Sequence, residues 1–399
     1  MTTPTTFRLW DVPMAHDRTA GWRLTSGLGE VFQAADGTWM LTSAEAVRFA
    51  HRHPEIFSSA LAFGATGLPL PLIPVAIDPP EHVRYRRILD PMLAPRVVNA
   101  LEDDLRAQIR ELVLAFADRG ECDVVRDVAR LYPTQVFLTL FGLPLSDRDD
   151  LIGWVETMNE HSTTGTAEPD PTVMEASMAM FAYLRRYIST KREDPGDGML
   201  GHILSLQGDE AWSDDEALGL TFLFSLAGLD TVTGAIGFTM LLLARDPDLR
   251  RRLIAEPMLT APVIEEALRL EPPAPTTPRV TTRDVDVCGV RIPAGSPVML
   301  CLATTNREAG RYEHPDEVDL AQADRAHVTF GGGIHRCLGA HLARRELRLV
   351  VEEFHALIPE YEVAPGFEPE VVWPSSTLHL ASLPLVFPVA GGAARRVRR

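Results

Sequence analysis

Between Glu216 and Leu243 the interior of the segment carries a single charged side chain, Asp230, in an apolar run that also contains Gly219, Gly228, Gly234 and Gly237. A helix of that composition has no polar stripe to turn toward water, so it must run through the middle of a domain with other elements packed around it. A lone carboxylate inside such a helix needs a physical reason, because burying an unpaired charge is costly. At 399 residues the chain is long enough to surround the helix with a large core. No Ser/Gly-rich linker or low-complexity block divides it, which predicts one domain over 1–390 and a disordered basic tail over 391–399.

Around that helix the pattern is mostly helical. The β-prone runs VFQA and TWMLT flank Ala35-Asp36-Gly37 and predict a hairpin over Glu30 to Thr42. Ser43 is a suitable N-cap for a short helix ending near Pro54. From Ile56 to Ile77 no side chain is charged, and Gly64, Gly67, Pro69, Pro71 and Pro74 argue against regular structure. That apolar loop is expected to line a pocket. Helices are predicted after Pro79-Pro80 and over Val98–Arg119, Val124–Phe141, Asp147–Glu160, Thr172–Thr190, Pro262–Leu270 and Leu338–Leu357. Met174 and Met178 share a helix face, a stripe more often core than binding surface. Short β-prone pieces lie near Arg279–Val290 and Pro297–Leu302. The fold class is mainly α with a minor β part.

Composition excludes several functions. A net charge of −17 argues against nucleic-acid binding. Met1–Trp10 lacks the apolar run of a signal peptide, and no uninterrupted apolar stretch reaches about 18 residues, so a soluble cytoplasmic protein with no membrane partner is expected. All but one of the 38 basic residues are arginine, Lys191 being the exception, as in GC-rich bacterial genomes. Cys122, Cys288, Cys301 and Cys337 form no C-x-x-C pair and suggest neither a disulfide framework nor a zinc cluster. The first three are expected to be small apolar core residues.

Cys337 differs in its surroundings. In Phe330-Gly-Gly-Gly-Ile-His-Arg-Cys-Leu-Gly339, three glycines precede it and a helix follows. A thiolate at a helix start is favoured by the dipole and by backbone N–H groups that reach the sulfur. The segment resembles the haem-binding loop F-x-x-G-x-[HR]-x-C-x-G of the cytochrome P-450 family at Phe330, Gly333, His335, Cys337 and Gly339. Three further segments resemble that family in its order. Ala227-Gly-Leu-Asp-Thr231 is similar to the oxygen-activation motif, Glu266-Ala-Leu-Arg269 to the E-x-x-R pair, and Asp78-Pro-Pro-Glu-His-Val-Arg-Tyr-Arg-Arg87 to the start of a propionate-binding helix.

The resemblance implies haem b held by Cys337 as axial thiolate, with His82, Arg86, Arg279 and His335 toward the propionates. It implies that Asp230 and Thr231 relay protons and that Glu266 and Arg269 support the fold. The residues alone leave other readings open: Thr231 bonding back to the Ala227 carbonyl, Asp230 paired with an arginine, Arg84 and Arg87 on a solvated helix face. The implied activity is a monooxygenase that oxidises, foremost hydroxylates, a hydrophobic small molecule such as a natural-product intermediate of secondary metabolism. Radical coupling or desaturation, a peroxide-driven peroxygenase and a non-catalytic haem protein are the alternatives. No flavin or nicotinamide fingerprint is present, so electrons from NADH or NADPH are expected through a ferredoxin and its reductase. Arg336, Arg344, Arg345 and Arg348 offer an acidic carrier a docking site, or form a solvated helix face. Leu223, Phe224, Ala227, Thr276, Thr277 and Ser375 to Leu378 match the family's substrate-contact regions.

Overall fold

The computed structural model describes residues 6–64, 70–160, 170–322 and 326–389. The expected tail, together with Gly67 and Pro69, lies outside the described residues. The apolar run becomes one unbroken helix, Asp214–Arg245, of 32 residues. Its start is a capping box in which Ser213 Oγ accepts from Glu216 N and the Glu216 carboxylate accepts from Ser213 N. The same carboxylate accepts from Arg84 Nη1 at 2.6 Å and from Tyr85 OH at 2.7 Å, tying the helix Glu81–Met92 to the central one. Burial opposes ionisation of Glu216, but the Arg84 guanidinium and the Ser213 N–H together hold its carboxyl below the usual range. Arg84 is therefore an anchor, while Arg87 makes an exposed pair with Glu210 at 3.2 Å.

Helices Leu131–Phe141, Pro171–Glu193, Thr260–Leu270 and Ala340–Leu357 pack around the central helix. Close approach is built in at Gly234, where the Leu378 carbonyl occupies the place of a Cβ. Among the described residues this is the helix long and apolar enough to cross a membrane, and its flanks are covered by protein.

A five-stranded sheet lies beside the helices in the order Val31–Gln33, Trp39–Leu41, Pro297–Cys301, Thr276–Thr281, Phe57–Ser58. The first hairpin is antiparallel as expected, Trp39–Leu41 pairs parallel with Pro297–Cys301, and the register Arg279↔Val298 fixes where Arg279 sits. Ser43 caps the helix Ala44–Arg52 by accepting from Ala46 N.

Several expectations are corrected. The segment Ile56–Ile77 contains a strand, Phe57–Ser58, and a short helix, Ser59–Gly64. Asp78, far along the chain, accepts from Ser59 N at 3.0 Å and Ala60 N at 3.3 Å and so caps that helix. The single helix expected over Val98–Arg119 is two, Pro95–Ala100 and Glu102–Leu114, and the second begins with Glu102, Asp103 and Asp104, acids that favour a helix start. The stretch Val124–Phe141 opens as a π-helical turn, Val125–Ala129, before its α-helix begins at Leu131. Met174 and Met178 are exposed rather than core. So is Cys288, which sits at the tip of the Val285–Ile292 hairpin with φ 47°, whereas Cys122 and Cys301 are buried as expected.

Candidate active site

The Cys337 loop is held by its own backbone. Cys337 N donates to Phe330 O at 2.8 Å, Gly331 N to Val328 O at 2.8 Å, and Gly331 and Gly333 have φ of 67° and 62°. Those angles suit glycine alone at low cost. The final helix starts at Ala340, so Cys337 precedes it and Gly339 presents its N–H to the sulfur. The Arg344 guanidinium covers the Phe330 ring at 4.3 Å.

Cys337 opens onto a cavity of about 340 Å³, a volume typical of small-molecule sites. Beyond that opening the sulfur is enclosed, and burial pushes the thiol up, against the Gly339 N–H and the fields of Arg86, Arg336 and Arg344. Across the cavity, Leu223, Phe224, Ala227, Gly228 and Thr231 of the central helix form a wall, joined by Phe63 and Val75 from the apolar segment and by Phe137. Thr277 lines the cavity but Thr276 does not, because successive strand residues face opposite ways. Ser375–Leu378 does not line it either; Leu378 N donates to Pro273 O at 2.7 Å and so backs Pro273, which does.

Thr231 Oγ1 donates to Ala227 O at 2.7 Å, the local bond open to any mid-helix threonine, while the residue still lines the cavity. Asp230 is half-buried beside the lining.

One edge of the cavity is polar. The His82 and His335 rings meet edge to face at 4.5 Å, and the Nε2 atom of each is buried without a protein partner. Burial, then the Arg279 field, lowers the His335 pKa to about 3, and burial, then Arg86, lowers that of His82. Both rings are neutral. Arg86 donates to Arg336 O at 2.9 Å and pairs with Asp90 at 2.8 Å. Arg279 is buried, and that burial lowers its pKa to about 10. The carboxylates at this edge, Asp90 on Arg86 and Asp78 at 3.9 Å from His335 Nε2, leave both imidazole nitrogens without a hydrogen bond. Orphaned imidazole nitrogens and an under-bonded guanidinium fit the propionates of a haem, the Cys337 sulfur fits its iron, and the apolar walls fit the macrocycle.

Glu266 and Arg269 form a bidentate pair at 2.8 Å, each side chain only 1% exposed. The guanidinium also donates to the carbonyls of Asn306, Pro315 and Glu317. Thr329, just ahead of the Cys337 loop, is linked to the same region: its Oγ1 accepts from Asn306 Nδ2 and donates to Leu268 O.

Of the four arginines offered for docking, three are committed elsewhere. Arg344 grips Glu265 at 2.6 and 2.8 Å, Arg345 pairs with Glu102, and Arg348 bonds Glu102 and Glu352. Arg336 is the exposed one.

Two residues escaped the sequence reading. His51 and Glu346 both line the cavity and are buried. Burial pushes the Glu346 carboxyl well above its usual range, and its Oε2 has no hydrogen-bond partner among the described residues. Helical period was the available signal: His51 lies four residues after Val47, and Glu346 four after Leu342, each on a buried face.

The comparisons agree with this geometry. The cytochrome P450 family model matches residues 31–372. Vitamin D(3) 25-hydroxylase of Pseudonocardia autotrophica is 34% identical over 313 residues, 78% of this chain and 76% of that protein. Cyclomarin C epoxidase CymV of Salinispora arenicola is 33% identical, covering 72% of this chain and 74% of that one. Among solved structures, the hydroxylase HmtN of himastatin biosynthesis superposes with a TM-score of 0.82 at 29% identity, covering 95% of this chain and 98% of its own. CalO2 superposes with a TM-score of 0.88 at 25% identity, covering 97% and 100%. The chain belongs to the cytochrome P450 family, whose members are haem b-dependent monooxygenases.

Proposed function

We propose that this enzyme hydroxylates a hydrophobic small molecule of natural-product type, with electrons delivered by a ferredoxin and its reductase. The observation that carries the substrate class is the cavity wall opposite Cys337, built from Phe63, Val75, Phe137, Leu223 and Phe224 with hydroxyls at Thr231 and Thr277. Among the described residues the arginines that line the cavity, Arg86, Arg279 and Arg336, belong to its haem-facing edge and not to that wall. Relatives named for vitamin D(3) and cyclomarin C are in keeping with a bulky apolar substrate.

When bound, haem would supply the activation of dioxygen and the oxidising equivalent, strengthened by electron donation from the Cys337 sulfur that would hold its iron. The chain's own residues do the rest. Cys337 is the metal ligand, its sulfur steadied by the Gly339 N–H. His82, Arg86, Arg279 and His335 hold the propionates. Thr231 commits its hydrogen to Ala227 O, which leaves its oxygen lone pairs free to accept a hydrogen bond on the cavity side. Asp230, one residue earlier and half-buried, passes protons from solvent toward Thr231 Oγ1. The apolar wall excludes bulk water from that route.

Electron entry is assigned to the surface at Arg336, since Arg344, Arg345 and Arg348 are neutralised by glutamates. A soluble cytoplasmic enzyme in one domain over 1–390 remains part of this reading; burial of 67% of the apolar window of the central helix is in keeping with solubility.

Thr231→Ala is expected to uncouple the reaction, so that product formed per NADH or NADPH consumed falls by about a hundredfold, the lower end of the range for a lost proton-transfer group. The haem spectrum should not change. Unaltered coupling would remove the relay and favour a peroxide-driven reaction instead.

A further inference from the structure

The helix Ala44–Arg52 presents His51 to the cavity from the buried face it shares with Ala44 and Val47. A Cβ on Gly332 would come within 2.6 Å of His51 Nδ1, and the His51 carbonyl occupies the place of a Cβ on Gly333. The glycines ahead of Cys337 thus make room for an imidazole against the loop. Arg279 acts electrostatically on both His51 and His335, so the three groups share one neighbourhood. Two carboxylates lie near this edge: Asp90, paired with Arg86 at 2.8 Å, and Asp78, 3.9 Å from His335 and already engaged by Ser58, Ser59 and Ala60. The edge holds more donors than these two carboxylates satisfy.

We propose that His51 is a further cofactor-binding residue, its imidazole N–H donating to a haem propionate alongside Arg279 and His335. It lies outside every motif in the sequence. The proposal rests on the haem-thiolate assignment and extends it to an element, the hairpin-following helix, that the motifs do not reach. Burial, then Arg279, lowers the His51 pKa to about 4, which leaves a neutral ring that donates one N–H without adding charge beside the guanidinium.

The test uses the holoprotein and two variants. His51→Phe keeps a ring against Gly332 and removes the donor, whereas His51→Gln keeps a donor. Haem transfer to excess apomyoglobin gives the release rate; the melting temperature and the reduced carbon-monoxide absorption band are recorded alongside. His51→Phe should release haem about tenfold faster, as expected for loss of a hydrogen bond to a charged acceptor. His51→Gln should stay within about threefold of the parent, since a donor persists. Both should keep the melting temperature and the thiolate-type band. An unchanged release rate in His51→Phe overturns the proposal, and so does equal acceleration in both variants with a lowered melting temperature, which marks a packing role. Absence of the thiolate-type band from the parent protein strikes at the haem-thiolate assignment itself.

Discussion

Two buried clusters in this protein each centre on an arginine, and they are built on opposite terms. Arg269 has every N–H donor matched within the chain, two by the Glu266 carboxylate and three by the carbonyls of Asn306, Pro315 and Glu317, and Glu266 also accepts from Asp319 N. Arg279, equally hidden from solvent, has one hydrogen bond among the described residues, to its neighbour's carbonyl at Pro278, and stands near imidazoles rather than free carboxylates. The first cluster is complete and joins the helix Thr260–Leu270 to the segment leading into the Cys337 loop. The second leaves most of the guanidinium's N–H donors without an acceptor among the described residues. A buried arginine is therefore no guide to function until its acceptors are counted.

The largest expected effect tests the complete cluster. Glu266→Ala would strand a buried guanidinium, at a cost of about 3–5 kcal/mol, and urea unfolding should show the same loss with and without haem. A loss confined to the holoprotein would place Glu266 in the cofactor site. Arg279→Leu should do the reverse. Haem release is expected to quicken by about tenfold or more, while the apoprotein unfolds at the same or higher urea concentration, because a desolvated and unmatched cation has been removed. Destabilisation of the apoprotein by that change would erase the contrast.

Acidification gives the smallest effect. His51 and His355 both titrate at about 4 in the folded protein, each lowered by burial and then by a neighbouring arginine from the usual 6.5. The unfolded chain binds more protons between those values, so their contribution to stability is full above the unfolded pKa and declines as pH falls toward the folded one. Taking the apoprotein from neutrality to about pH 5.5 should remove about 1 kcal/mol per histidine. With haem bound the decline should be shallower, since a propionate beside His51 raises its pKa, whereas His355 pairs with Tyr361 far from the loop in either state. A melting temperature flat across that range would contradict neutral burial of both rings.

Local pattern made the central helix and the Cys337 loop readable from sequence, because each is specified by residues close together in the chain; the Glu266–Arg269 pair was legible only as a family motif, and its carbonyl partners at Asn306, Pro315 and Glu317 were not. Partners brought in from afar were not readable. Asp78 turns an apparently irregular apolar segment into a strand and a helix through Ser58, Ser59 and Ala60. Glu102 and Glu265 take up arginines that composition presents as an open basic face. His51 shows the middle case: helical period turns it inward, yet only the fold reveals that inward means the cavity. Cys288 shows the converse, a small apolar side chain left outside because a hairpin tip offers nothing to pack against.

The hydrogen bonds from Cys337 N to Phe330 O, Gly331 N to Val328 O and Arg336 N to Gly333 O close the thiol-bearing loop on itself. Part of the entropy lost in fixing the loop is thus offset by bonds within the chain, and the position of the sulfur is set by backbone as well as by what it binds.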